Sequence, residues 1–197
     1  WRFDHLADLG GRGRALDELV AAGQPVVLGG GNAPTWAYLA AMHQVLDQRP
    51  DASVTVFAPK ELGGMVEIPS TIVPDPGSPL TAQLAVAWSA ERGAGILHLH
   101  SIKGDTRDRF LREDAFAAIG RGPLPDGPVP DVPLFTSGRA PIWLHLAYAR
   151  WLRQIAPGRA LGVWDAGKQG VFFTLPRAAP RFEPWPVPPP YLGQGTL

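Results

Sequence analysis

Residues 133–166 read PLFTSGRAPIWLHLAYARWLRQIAPGRALGVWDA: a short apolar strand, a Gly-containing turn, a proline, a run with helical period and a second apolar strand. Residues 26–59, VVLGGGNAPTWAYLAAMHQVLDQRPDASVTVFAP, superimpose on them without a gap at an offset of 107 residues. Gly31 falls on Gly138, Ala33 on Ala140, Pro34 on Pro141, Trp36 on Trp143, Leu39 on Leu146, Ala40 on Ala147, Pro50 on Pro157 and Val56 on Val163. Self-similarity at a fixed offset reads as an internal duplication, because G-x-A-P-x-W at one place in each copy is more than amphipathic periodicity requires.

The local physics is the same in both copies. Strands at Val26–Gly29 and Leu134–Thr136 run into Gly turns, and Pro34 or Pro141 fixes φ in the first helical turn, where its missing N–H costs nothing. The spacing predicts helices over 34–48 and 141–155, each turning Trp36, Leu39 and Ala40, or Trp143, Leu146 and Ala147, toward a sheet. Second strands follow at VTVFA (54–58) and ALGVW (160–164). After the turns KELGG and AGKQG come third strands at Met65–Ile68 and Val171–Thr174, which read as hairpin partners. Outside the copies the expectations are a helix at Arg14–Ala22, a helix from Leu80 to about Arg92, a strand at Gly95–His100 and a helix near Arg109–Ile119. The fold class is α/β, with two duplicated β-α-β-β units sharing a mixed sheet and helices packed against it. By this reading residues 1–119 hold the first unit with its extra elements, 120–133 a Pro/Gly linker, 134–175 the second unit and 176–197 a Pro-rich tail.

Composition narrows the function classes. Eighteen Lys plus Arg balance eighteen Asp plus Glu, which excludes the strongly basic field of a protein that coats extended duplex DNA but leaves room for a local Arg patch on a small polyanion. Cysteine is absent, so disulfides, Cys-based zinc sites and thiol nucleophiles are excluded. No apolar run reaches a membrane-spanning length, and Trp1-Arg2-Phe3-Asp4 lacks the basic start and apolar core of a secretion signal, so a cytoplasmic location is expected. The 23 Gly and 22 Pro are concentrated at the turns, at GRGPLPDGPVPDVP (120–133) and in the tail, where seven prolines fall between Pro176 and Pro190. Such a tail cannot propagate a helix or supply a central strand. It either packs Phe182, Trp185 and Tyr191 over its own domain or straps a partner as a polyproline segment.

Two constellations carry chemistry. The turns G-G-G-N-A-P and S-G-R-A-P stand at helix starts, where free N–H groups and the positive dipole end suit an anion. Gly31, Asn32, Ser137, Gly138 and Arg139 are the candidate binding residues, although a turn that needs only positive φ would look the same. The second is GILHLHSIKGDTRDRF (95–110). Alternation puts His98 and His100 on one strand face, with Asp105, Arg107, Asp108 and Arg109 following. His98, His100 and Asp105 are candidate ligands for a metal such as Mn or Mg. His100 beside Arg107 is alternatively a general base on a phosphodiester, with the guanidinium stabilising developing charge. His98 reads equally as a satisfied half-buried residue and RDRFLRED as a solvated helix face. His5, His43 and His145 are weaker candidates, the last two standing at different positions of their helices. Asp165 ends a strand where the first copy has Ala58, and Lys168 follows it.

The segment Ser137–Phe173 resembles the Csx3 family of CRISPR-associated proteins, which have an S-G-R-x-P-[IV]-W-L turn and helix followed by an A-[VI]-[YF]-D-P-x-x-x-G-[AG]-V strand pair; Gly29–Ile68 resembles the same stretch more weakly. The resemblance implies action on cyclic oligoadenylate second messengers, as a ring nuclease assembled around a two-fold ligand. The partner is then a cyclic oligonucleotide or similar small polyanion, with a homo-oligomer possible. The family's Ser-His and Asp-x-Arg pairs do not follow either strand pair here: the copies continue as Ile68-Pro69-Ser70 and Phe173-Thr174-Leu175-Pro176. The nearest equivalents by type are His100-Ser101 and Asp105-Thr106-Arg107, so His100, Asp105 and Arg107 are the expected catalytic set. A non-catalytic sensor or assembly subunit is the alternative.

Overall fold

The computed structural model describes residues 16–29, 33–58, 64–101 and 117–185. Residues 16–21 are helical (α1). The order continues β1 (Val26–Leu28), α2 (Thr35–Gln48), β2 (Val54–Ala58), β3 (Gly64–Ile68), β4 (Val73–Pro74), β5 (Leu84–Glu91) and β6 (Ala94–Ser101). It ends with β7 (Arg121–Gly122), β8 (Leu134–Ser137), α3 (Ile142–Ile155), β9 (Leu161–Asp165), β10 (Gly170–Phe173) and β11 (Arg181–Pro184). The helix expected near 109–119 and the first two residues of that expected at 14–22 lie outside, or almost outside, the described residues.

Both passages fold as β-α-β-β. In each, the first two strands pair in parallel across the helical crossover, and the third closes an antiparallel hairpin. The two do not share a sheet. β1-β2-β3 form one sheet, β11-β10-β9-β8-β6-β5 form a second, and β4 with β7 makes a short parallel pair. The gapless offset also breaks by one residue. Leu28 pairs with Val56 whereas Thr136 pairs with Val163, so the turn between strand and helix is one residue shorter in the second passage. Period-2 alternation punishes a slip that turns side chains over, and the shorter turn keeps the correct face of β8 inward.

The helices lie between the two sheets. α2 packs on β1, β9 and α3, while α3 packs on β8, β9 and β3, and one continuous core takes in Val54 and Val66, both helices, and Leu97, Leu134 and Val163. Trp36 of α2 stacks on Phe172 of β10 with centroids 5.0 Å apart. Both helices were expected to be one-faced. α3 is buried without interruption from Trp143 to Leu152, because the two sheets and α2 leave it no solvent stripe. Its polar groups must therefore find partners inside. The Tyr148 hydroxyl donates to the Pro123 carbonyl at 2.7 Å, and Arg150 donates to the carbonyls of Ile68 at 3.2 Å and Pro50 at 3.5 Å. Arg150, 2% exposed, thus ties the second passage to the end of β3 in the first. Replacing Arg150 by alanine should cost about 3 kcal/mol, from a cavity and two stranded carbonyls. A wild-type urea midpoint for that variant would refute the tie.

The segment expected to be helical from Leu80 is instead β5, hairpinned to β6 across its whole length. Its residues Leu84, Val86 and Trp88 face inward and Ala85, Ala87 and Ser89 outward, a period of two hidden by the helix propensity of alanine. Arg92 and Gly93, at φ 49° and 75°, close the two-residue turn that such a hairpin favours. On the outer face of the second sheet, Ile96, Phe135, Val171 and Phe173 are sealed by Trp185, which meets Phe135 at 5.3 Å under the Arg92 guanidinium. Phe182 lies on Phe172 at 4.8 Å. The Pro-rich segment therefore supplies an edge strand, where proline is tolerated, and packs on its own chain; Tyr191 lies outside the described residues.

Candidate functional site

β6, β8 and β9 run parallel and side by side, so their carboxyl ends meet at one edge, the place where open α/β sheets collect ligands. His100 and Ser101 end β6, Ser137 ends β8 with Gly138 and Arg139 in the turn after it, and Asp165 ends β9. This edge brings together His98, His100, Ser137, Gly138 and Arg139. Gly31, Asn32, Asp105 and Arg107 lie outside the described residues.

Alternation along β6 places Leu97 and Leu99 in the core and His98 and His100 on the outer face, with Ser137 as the Cα partner of His98. His98 is 2% exposed. Its Nε2 lies 2.6 Å from the Ser89 hydroxyl, and burial holds its pKa below the ordinary histidine value. It is a neutral imidazole with one ring nitrogen already engaged. His100 is half-buried at the strand end. Ser89 lies in a segment whose alanines predict a helix; the period-two alternation of β5 is the signal that places it on the histidine face.

Gly138 has φ 118°, and a Cβ built on it would run into the Leu99 carbonyl. The turn after β8 folds over the end of β6, where the Ser101 N–H donates to the Arg139 carbonyl at 3.4 Å. Glycine is needed here for backbone against backbone as well as for its φ. Ser137 beneath is buried, and Arg139 is exposed. His145, one turn into α3, supports the turn from below. Its Nδ1 lies 2.9 Å from Thr136 Oγ1, and burial pushes its pKa down to about 4 against the opposing pull of a hydrogen bond with the Gly138 backbone.

Pro141 is the N-cap of α3, with ψ 155°, and Pro34 that of α2, with ψ 156°. Both therefore stand one residue before the first helical turn rather than within it. Neither helix has a side-chain cap or an acidic residue in its first turn, so neither positive end is offset locally.

As metal ligands, His98 and His100 share a face, but the first is tied to Ser89 and Asp105 is outside the described residues. Among the described residues no three His, Asp or Glu side chains gather. Among the same residues no helix is long and apolar enough to cross a membrane.

The fold is mixed α/β, with helices packed against β-sheets. No protein-family model matches the sequence, and neither a curated protein nor a solved structure matches it.

Proposed function

We propose that the chain is a phosphodiesterase for cyclic oligoadenylates, binding the phosphates at the carboxyl edge of β6 and β8. The observation that carries this reading is the convergence of an uncapped helix start, the exposed Arg139 and the half-buried His100 at that one edge. Backbone donors and a guanidinium hold a phosphodiester; a histidine beside it supplies the acid–base group. His100 takes the proton of a ribose 2′-hydroxyl as the oxygen attacks phosphorus. The P–O5′ bond breaks, the 5′-oxygen takes a proton from solvent water while His100 later returns its own to the solvent, and the product is linear with a 2′,3′-cyclic phosphate. Asp105 would orient His100, and Arg107 or Arg139 would neutralise the transition state.

We also read the two β-α-β-β passages as related copies suited to a two-fold ligand. Their helices and second strands differ by the same 107 residues in both bounds, and their proline caps share one conformation. By position, Gly31 and Asn32 are then the counterparts of Gly138 and Arg139.

A non-catalytic sensor is the second reading. The His98–Ser89 hydrogen bond favours it, leaving His100 as the one described histidine at the edge whose ring reaches the surface. Incubation with cyclic oligoadenylates of several ring sizes separates the two. Turnover that falls at least about 100-fold in His100→Ala, with weaker binding in Arg139→Ala, supports the enzyme. Saturable binding without turnover supports the sensor, and undiminished turnover in His100→Ala removes the named base.

A further inference from the structure

We infer that Lys168 is a second phosphate-holding residue of this edge, one strand over from Arg139. The inference rests on the reading above and extends it across β9. Because Thr136 is abreast of Val163 in the parallel ladder, the carboxyl ends of β8 and β9 come out level at one edge, on strands about 5 Å apart. β9 ends in a built turn: Asp165 Oδ1 accepts the Lys168 backbone N–H at 3.1 Å, and Gln169 has φ 51°. The backbone that carries Lys168 is thereby fixed while its side chain is exposed.

Five guanidiniums of this half have protein partners, Arg150 among them. Arg153 and Arg177 share Asp47, Arg159 holds Asp131, and Arg181 holds Glu183 and lies over Phe173. Among the described residues no carboxylate lies within ion-pair distance of the Lys168 ammonium; the nearby Asp165 is committed to the turn through its own oxygen. An exposed ammonium with no counter-ion among the described residues, at the same sheet edge as Arg139, presents a point charge to a neighbouring phosphate of the same ligand.

The test is equilibrium binding of a cyclic oligoadenylate to the full chain over a salt series. Lys168→Gln removes the charge but not the backbone N–H that closes the turn. It should weaken binding about fivefold at low salt and lower the slope of log K against log salt by about 0.7, one phosphate contact on a single strand. Lys168→Arg should restore both. If the unmodified chain binds no oligoadenylate of any ring size, the functional reading itself fails. If it binds and Lys168→Gln leaves affinity and slope unchanged, the assignment of Lys168 is overturned while that reading stands.

Discussion

Gly138→Ala is expected to unfold the carboxyl edge, at a cost of at least about 3 kcal/mol. The methyl group would meet the Leu99 carbonyl, and the backbone at φ 118° disfavours any side chain. Relief requires the turn to lift off β6, which breaks the Ser101–Arg139 hydrogen bond and pulls His145, at the start of α3, away from Thr136. Loss of stability in urea should therefore accompany loss of oligonucleotide binding. A variant with an unchanged urea midpoint would mean that the turn has freedom the packing denies it. Alanine at Gly127, where φ is 87° but nothing lies within 4 Å, should cost only the conformational part, about 1 kcal/mol.

The second large effect is in acid. His43 is wholly buried, with neither ring nitrogen hydrogen-bonded. Burial first, then the charges of Arg153 and Arg177, push its pKa down to about 3 despite Asp47; His145 is pushed down to about 4. Both imidazoles are neutral in the fold, while the unfolded chain titrates near 6.5. The unfolded state thus binds more protons between those values, so stability is complete above about pH 6.5 and falls as the pH drops toward 4. Each group contributes about 1.4 kcal/mol per pH unit once the unfolded form is protonated. His43→Leu loses no hydrogen bond, and should make this acid limb less steep, with His145 and His98 carrying the remainder, while leaving stability near pH 7.5 unchanged or raised. An acid limb as steep as that of the unmodified chain would rule out His43 as a major source.

Much of the fold is legible residue by residue. Pro34 and Pro141 announce the helices to within a residue, and the apolar runs at 54–58 and 160–164 become strands because their information is local: period, turn chemistry and the missing N–H of proline. The 80–92 segment misled because Ala85, Ala87 and Ala90 favour a helix in isolation, whereas pairing with the whole of β6 overrides that preference. At the edge, the alternation of His98 and His100 could be read directly, but not their different environments, which depend on Ser89 and on how far the outer face is covered.

By itself the sequence determined two strand–turn–helix passages, their helix limits, an extended Pro-rich segment and the pair of histidines on one strand face. Only the tertiary structure decided that the passages lie in separate sheets with both helices between them, that Gly138 is required by the Leu99 backbone, and that His98 is tied to Ser89. The division is physical. Periodicity and turn chemistry act over a few neighbouring residues, while strand partners, layer order and the burial of a polar group depend on contacts between residues far apart in the chain.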